Sequence, residues 1–178
     1  QGSYLFSLGQ ITRHKGQHHA IAVAKKTGLD LIIAGNISED PTDSEDRIYF
    51  DSEIKPHLGD SIKYVGELND KQKKVFFRDA YAFLMPISCN EAFGLVVIES
   101  LACGTPVIAF SRGAIPEIIE HGKNGFLVED AEEMTRYLSR IDEIDREYCR
   151  KSVLNKFDIS LISEKYIQVY EDVIRRSK

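Results

Sequence analysis

Long apolar runs are missing from this sequence of 178 residues. No stretch comes near the roughly 20 consecutive apolar residues that a membrane-spanning helix requires. The first residues, Gln1, Gly2 and Ser3, also lack the basic and apolar regions of a secretory signal peptide. These absences predict a soluble, cytoplasmic protein.

An excess of basic residues is missing as well. The sequence has 23 Lys and Arg against 28 Asp and Glu, so its formal net charge is −5. Domains that bind a polyanion through counterion release normally carry an excess of positive charge. The composition therefore argues against nucleic acid as a partner, and any bound phosphate must be met by a few local groups.

Cysteine is scarce, and its spacing matches neither C-x-x-C nor a zinc site. The cysteines are Cys89, Cys103 and Cys149. They are predicted to be buried, reduced thiols. We predict that His14, His18 and His19 are surface residues and not metal ligands, since the adjacent pair cannot share one helix face.

The apolar content, 43% of the residues, is enough for one sizeable core, whereas the length is too short for two typical domains. We therefore predict a single domain over residues 1–178. The chain opens without Met, and the strand-like segment Tyr4–Leu8 follows almost at once. We interpret the sequence as a domain cut from a longer protein.

Short apolar runs alternate with amphipathic stretches, which is typical of parallel strands joined by crossover helices. Strands are predicted at Tyr4–Leu8, Leu29–Ala34, Ile62–Val65, Ala82–Pro86, Pro106–Phe110 and Gly125–Val128. Helices are predicted near His18–Lys26, Arg47–Lys55, Asp70–Asp79, Leu95–Cys103, Ile115–Glu120, Ala131–Arg140, Glu143–Asn155 and Ser160–Arg176. The acidic stretch Ser38–Asp46 is predicted to be a solvated loop. The predicted fold class is α/β: a Rossmann-like parallel sheet with helices on both faces and a helical C-terminal tail.

The loop between the fourth strand and the fourth helix contains the strongest candidate site. In a doubly wound sheet, ligands bind outside the carboxyl ends of the strands, where loops lead into helix N-termini. The backbone N–H groups of Phe93, Gly94, Leu95 and Val96 lie at such a helix start. With the helix dipole behind them, they are suited to bind a pyrophosphate.

Two carboxylates flank this turn: Glu91 precedes it, and Glu99 lies about 7 Å along the helix axis. Each is expected to accept hydrogen bonds from hydroxyl groups at one end of an extended ligand, a sugar at one end and a ribose at the other. Glu99 lies in a helix that is apolar nearly all round, so its charge needs a partner. The alternative is that Glu91 is a helix-entry residue favoured by the dipole and Glu99 an exposed helix residue.

The segment from Glu91 to Glu99 resembles the Glu-x7-Glu motif of glycosyltransferase family four. The blocks Ala102–Ala109, Gly113–Ile119 and Gly122–Val128 resemble that family's continuation at matching spacing. The resemblance covers nearly the whole chain. It implies the C-terminal, donor-binding domain of a retaining, mannosyltransferase-like enzyme of the GT-B fold. It also implies that the first Glu lies near the transferred sugar, the second binds the ribose, and the amides between them hold the pyrophosphate.

The loop after the first strand resembles the same family's Gly-Arg…Lys-Gly element, in which Arg and Lys neutralise the donor phosphates. Lys15 matches the Lys position, and the resemblance implies a catalytic role for it together with Glu91. Gln10 occupies the place of the Arg, and its neutral amide cannot provide a bidentate cationic contact. Either Arg13 reaches the phosphates as a substitute, or catalysis relies on Lys15 and the helix dipole.

The resemblance implies transfer of a mannose- or glucose-type sugar from a GDP-sugar or UDP-sugar to a saccharide or lipid acceptor. No cofactor and no essential metal are expected. An N-terminal acceptor domain is the expected partner, with peripheral association at the inner face of the membrane through that half, and the isolated chain is expected to be inactive. Two alternatives stay open: a sugar-phosphate or disaccharide synthase of the same fold, and a non-catalytic nucleotide-binding module.

Overall fold

The computed structural model describes residues 2–38 and 44–176. Within these residues the strands form one six-stranded parallel sheet in the order β3-β2-β1-β4-β5-β6. The strands are β1 (Tyr4–Leu8), β2 (Leu31–Ala34), β3 (Ile62–Tyr64), β4 (Ala80–Met85), β5 (Val107–Phe110) and β6 (Gly125–Val128). The chain moves outward from β1 to β3 and returns to place β4 on the other side of β1. The predicted Rossmann-like α/β fold is confirmed, with its topological switch point between β1 and β4.

Helices cover both faces of this sheet. They are α1 (Gln17–Thr27), α2 (Ser44–Tyr49), α3 (Asp70–Asp79), α4 (Leu95–Ala102), α5 (Ile115–Ile118), α6 (Ala131–Leu138), α7 (Arg146–Phe157) and α8 (Ile159–Arg176). Helices α1 and α6 contact each other on one face, while α3, α4 and α7 pack together on the other. In the core beneath α3, the rings of Phe6, Phe77 and Phe83 contact one another, with the Phe77 centroid 5.2 Å from each of the other two. This packing fixes β1 and β4, from which the site loops leave.

Several predicted boundaries are wrong by a few residues. Strand β4 begins at Ala80, not at Ala82, because Ala80 pairs with Tyr4 of β1. Strand β2 begins at Leu31, not at Leu29, because Gly28 ends α1 in a left-handed conformation and a short turn follows. Helix α7 begins at Arg146, where the side chain of Asp145 accepts a hydrogen bond from the backbone N–H of Glu147 at 2.8 Å.

The helix predicted over Arg47–Lys55 is broken into three pieces. Helix α2 is followed by a π-helical turn over Phe50–Ile54 and a 3₁₀ turn over Lys55–His57. Pro56 has no N–H group with which to continue an α-helical hydrogen-bond ladder. Of the predicted acidic loop Ser38–Asp46, positions 39–43 lie outside the described residues, and the prediction is wrong for Ser44–Asp46, which begin α2.

The C-terminal helices differ in how they are packed. Helix α7 lies against α4, whereas α8 contacts α7 and leaves apolar side chains such as Ile167 and Tyr170 more than half exposed. None of the helices in the described part of the chain is long and apolar enough to cross a bilayer. The prediction that the cysteines are buried holds for Cys149, but Cys103 is only half-buried and Cys89 is exposed. Cys89 lies on the loop after β4, outside the sheet, where no element covers it.

Candidate functional site

A cleft lies at the carboxyl ends of β1 and β4, at the topological switch point. Its volume is about 220 Å³. The predicted site residues that line it are Gln10, Lys15, Glu91, Phe93, Gly94, Leu95 and Val96. The structure therefore brings together the loop after β1 and the loop after β4, while Arg13 and Glu99 lie elsewhere.

Close contact between the two loops explains why Lys15 reaches the cleft. Gly16 has a φ of 76°, and a Cβ at this position would collide with the backbone carbonyl oxygen of Pro86. On the same side, the Ser88 backbone N–H donates to the His14 carbonyl oxygen at 2.8 Å. Glycine is needed both for the left-handed conformation and for the close approach. The residue before it, Lys15, is thereby carried against the loop after β4.

Glu91 is held by the turn between β5 and α5. The Ala114 backbone N–H donates to the Glu91 carbonyl oxygen at 2.9 Å. Gly113 leaves room for the Glu91 backbone, since a Cβ there would collide with it. Gly94, with a φ of 84°, then starts α4 and packs against the side chains of Ile115 and Ile118. The orientation of Glu91 is therefore fixed by backbone contacts on both sides.

Lys15 and Glu91 form an ion pair inside the cleft. Lys15 Nζ lies 3.0 Å from Glu91 Oε2, and the two side chains are 29% and 19% exposed. Partial burial acts to raise the pKa of Glu91, whereas the hydrogen bond and charge of Lys15 act to lower it. The backbone N–H groups of Phe93 and Gly94 add to this effect, and the pKa of Glu91 lies below its ordinary value. Glu91 is thus ionised at neutral pH, and its own carboxylate occupies the start of α4 where an anion is favoured.

Gln10 and Arg13 both contact acidic side chains of the segment from α2 to the π-helical turn. Gln10 Nε2 donates to Asp46 Oδ2 at 3.4 Å, at the edge of the cleft. Arg13 pairs with Glu53 at 3.0 Å, and its guanidinium lies over the ring of Tyr49 at 5.3 Å from the centroid. With a side chain 64% exposed, Arg13 does not line the cleft. That Arg13 serves as a substitute cation therefore stays a prediction, and it requires the ion pair between Arg13 and Glu53 to break.

Glu99 lies in a separate groove between α3 and α4. Its Oε1 accepts a hydrogen bond from Lys73 Nζ at 3.1 Å, which is the partner that the apolar surroundings required. Lys73 also lies 3.0 Å from Asp70 Oδ1 in the first turn of α3. Glu99 Oε2 is buried and has no hydrogen-bond partner among the described residues.

Some residues that shape the site were not predicted from the sequence. Lys73 could be located only after α3 was packed against α4. Gln17 is buried, donates to the Gln10 carbonyl oxygen at 2.9 Å, and accepts from the Tyr49 hydroxyl at 3.3 Å. The only signal for Gln17 was its place at the start of a helix that follows the Lys-Gly pair.

The histidines of the first loop differ from the prediction of surface residues. His14 is exposed, but His18 and His19 are half-buried, with their rings 4.0 Å apart. Burial lowers the pKa of both, and His18 Nδ1 lies 2.9 Å from the Tyr49 hydroxyl. Across residues 2–38 and 44–176, His, Cys, Asp and Glu side chains form no group of three that could hold a metal ion. A reaction without an essential metal remains an expectation.

Comparisons with known proteins identify relatives of this chain by sequence and by fold. The family model described as "Glycosyl transferases group 1" matches residues 1–153. N-acetyl-alpha-D-glucosaminyl L-malate synthase of Bacillus anthracis is 32% identical over 130 residues, which cover 68% of this chain and 33% of the synthase. Phosphatidyl-myo-inositol mannosyltransferase of Mycolicibacterium smegmatis is 27% identical over 161 residues, which cover 85% of this chain and 39% of that enzyme.

A solved structure extends the comparison to the fold. The Anabaena protein HepE, crystallised in complex with UDP and glucose, superposes with a TM-score of 0.84 at 19% identity, over 96% of this chain and 48% of HepE. At that level of identity the likeness concerns the fold. The chain spans between a third and a half of the length of these relatives.

Proposed function

Because the chain belongs to the family of group 1 glycosyl transferases, we propose that its cleft binds a nucleoside diphosphate sugar for transfer of the sugar to an acceptor. The observation that carries this proposal is the meeting of Lys15, Glu91 and the start of α4 in one cleft at the switch point. The relatives include a sugar transferase and a synthase, and a neighbour of the same fold was crystallised with UDP and glucose. These relatives support a transferase.

The diphosphate is proposed to bind Lys15 and the backbone N–H groups of Phe93–Val96. A helix N-terminus combines unpaired N–H groups with the positive end of the dipole, so that it binds phosphate without an excess of basic side chains. This fits a chain whose net charge is −5. As the sugar leaves, negative charge grows on the diphosphate, and Lys15 is proposed to stabilise that charge.

Binding of the diphosphate has to break the ion pair between Lys15 and Glu91. Lys15 Nζ donates its hydrogen bond to Glu91 Oε2 in the structure, and a phosphate oxygen would take the place of that carboxylate oxygen. Glu91 then needs new hydrogen-bond donors, and the hydroxyl groups of the sugar are suited to supply them. We therefore propose that Glu91 orients the sugar and that an intact donor satisfies both residues, whereas a free diphosphate satisfies only Lys15.

Glu99 is proposed to bind the ribose. Leu95 lines the cleft, and Glu99, four residues later on α4, lies on the same helix face about 6 Å further along the axis. A nucleotide with its phosphates at the start of α4 can reach Glu99 with its ribose. Gln10 is proposed to contact the phosphates as a neutral donor, and the cationic contribution is assigned to Lys15 because Arg13 is paired with Glu53.

The finer features of the reaction belong to the proposal as well. The sugar is proposed to be of the mannose or glucose type, carried by GDP or UDP, and transferred with retention to a saccharide or lipid. An acceptor-binding half outside residues 1–178, a cytoplasmic location near the membrane face, and no activity of the chain alone are parts of the same proposal. Since the relatives include a synthase, a synthase reaction on the same donor is the second candidate.

The test is a ligand screen by thermal shift with UDP, GDP and ADP and their sugar conjugates. A ligand present at 100 times its dissociation constant adds about 2.7 kcal/mol of stability. We expect at least one nucleoside diphosphate to raise the melting temperature, and its sugar conjugate to raise it further. Stabilisation by none of them would exclude donor binding. Equal stabilisation by diphosphate and conjugate, also in Glu91→Ala, would favour a non-catalytic nucleotide-binding module.

A further inference from the structure

The groove between α3 and α4 contains a charged cluster whose central residue no predicted role explains. The groove has a volume of about 280 Å³, and Asp70, Lys73, Phe77 and Glu99 lie along it. Lys73 is at its centre, with Nζ 3.0 Å from Asp70 Oδ1 and 3.1 Å from Glu99 Oε1. The Lys73 side chain is 23% exposed, whereas Asp70 is 88% exposed. Lys73 therefore bridges the two carboxylates while most of its own side chain is removed from water.

The carboxylate of Glu99 is only half satisfied. Lys73 donates to Oε1, while Oε2 is buried and has no partner among the described residues. A charged oxygen that is removed from water without a hydrogen bond is costly, so such a group in a folded protein needs a reason. Oε2 is therefore the oxygen of Glu99 that can take a new hydrogen bond, once the carboxylate turns so that a ligand hydroxyl reaches it.

Lys73 itself stays charged in this setting. The hydrogen bond to Asp70 raises its pKa, desolvation opposes this, and the hydrogen bond to Glu99 raises it again, so that the pKa lies above its ordinary value. Without this cation, Asp70 and Glu99 would be two carboxylates near one another with no charge between them. The last torsion of a Glu side chain is broad, so the carboxylate can turn towards a ligand while Oε1 stays bonded to Lys73.

Building on the proposed function, we propose that Lys73 is a positioning residue for the donor. It holds Glu99 by Oε1 and so leaves Oε2 to accept a hydrogen bond from a ribose hydroxyl. Selectivity for ribonucleotides over 2′-deoxyribonucleotides then depends on Lys73, although Lys73 does not touch the ligand. A merely structural role for Lys73 would change the stability of the fold and leave that selectivity intact.

The experiment measures dissociation constants by calorimetry for UDP and GDP and for their 2′-deoxy counterparts. The variants are Lys73→Met, Lys73→Arg, Glu99→Gln and the double variant Lys73→Met with Glu99→Gln. Lys71→Met is the matched control, because Lys71 is exposed on the same helix and does not line the groove. Circular dichroism establishes that each variant is folded, and Lys73→Gln replaces Lys73→Met if the latter does not fold.

We expect the Lys73→Met change to weaken ribonucleotide binding about tenfold and 2′-deoxynucleotide binding much less. Lys73→Arg should restore most of the selectivity, and Lys71→Met should equal the unchanged protein. In the Glu99→Gln background, Lys73→Met should cause no further loss, because positioning acts only through Glu99.

Three results would overturn the inference while leaving the proposed function intact. They are unchanged ribonucleotide affinity in Lys73→Met, an equal loss for ribo- and deoxynucleotides, and a full further loss in the double variant. If neither UDP nor GDP binds the unchanged protein, the proposed function fails and this inference fails with it.

Discussion

Two Lys–Glu pairs can be compared: one involves Glu91, just before α4, and the other involves Glu99, within α4. In the cleft, Lys15 and Glu91 are 29% and 19% exposed, and the carboxylate is also stabilised by the backbone N–H groups of Phe93 and Gly94. In the groove, Lys73 holds one oxygen of Glu99, whose side chain is 40% exposed, and the other oxygen has no partner among the described residues. Glu91 thus receives hydrogen bonds from Lys15 and from two backbone N–H groups, whereas one oxygen of Glu99 receives none from the described residues.

This difference separates two ways of binding a ligand. At the cleft, a ligand must compete with an existing ion pair, so binding exchanges one set of contacts for another. At the groove, no ion pair has to break: a ligand hydroxyl would add a hydrogen bond to the buried Glu99 oxygen that has no partner among the described residues, once the carboxylate turns towards it. Substitutions in the first pair should therefore affect turnover and the balance between free diphosphate and donor. Substitutions in the second pair should weaken the free ribonucleoside diphosphate and its sugar conjugate by the same factor.

The largest effect is expected for Lys15→Met. In our account Lys15 contacts the diphosphate in every state, and more strongly as negative charge develops on it. Loss of such a preorganised contact typically lowers turnover about 100- to 1,000-fold. Steady-state kinetics of the whole enzyme and calorimetry with free diphosphate would measure the two effects, with turnover falling further than affinity. Lys26→Met, at an exposed position of α1, is the control; a Lys15 variant with normal turnover would remove Lys15 from the mechanism.

A different pattern is expected for Glu91→Gln. Turnover should fall about 100-fold because the sugar is no longer oriented. Affinity for the free diphosphate should rise, since Lys15 is released from its partner at 3.0 Å. Kinetics and calorimetry on the same preparation would measure both, with the exposed Glu117→Gln as the control. Loss of diphosphate binding in a folded Glu91→Gln protein would mean that the roles of the two carboxylates are exchanged.

Glu99→Gln should act on affinity alone. A hydrogen bond to a charged group contributes about 1.5–3 kcal/mol, and the ribose is common to the diphosphate and its sugar conjugate. Both ligands should therefore be weakened by the same factor, as calorimetry would show, and Glu132→Gln on the opposite face should change neither. Unchanged affinity for both ligands would refute the assignment of the ribose to Glu99.

The smallest effect is expected for Gln10→Arg. Because Arg13 is paired with Glu53, the cleft lacks a second cation, and an added Arg should raise diphosphate affinity modestly. The gain should be larger at low salt, where charges are less screened. Calorimetry at two ionic strengths would measure it, and Gln10→Glu should give the opposite change. No gain at either salt concentration would indicate that Arg13 already reaches the phosphates.

Much of the fold could be predicted because each of the predicted apolar runs corresponds to one strand of the parallel sheet. The apolar pattern did not predict that Lys15 and Glu91 meet; only the family resemblance implied a joint role for them, and the structure places β1 beside β4. The contact itself also needed Gly16, which lets the first loop approach Pro86. The alternation of strands and helices follows from periodicity, which a sequence displays directly, whereas the order of the strands in the sheet does not.

What could not be predicted depends on how separate elements pack. Lys73 meets Glu99 only because α3 lies against α4, and a helical pattern does not say which neighbour a side chain will face. Glu53, the partner of Arg13, lies in the π-helical turn that interrupts the predicted helix over Arg47–Lys55, and the sequence pattern did not indicate this pair. An apolar helix around Glu99 indicated that a partner was needed, but not its identity.

The central claim is that the cleft between β1 and β4 binds a nucleoside diphosphate. Titration of the isotopically labelled chain with UDP and with GDP, followed by backbone amide NMR, tests it most directly. We expect the largest shifts in the loop after β1, from Gly9 to Gly16, and at Phe93–Val96, with smaller shifts at Glu99. A spectrum that neither nucleotide changes would contradict the central claim. Shifts confined to the far end of the sheet, around Thr27, Tyr81 and Ser139, would contradict it equally.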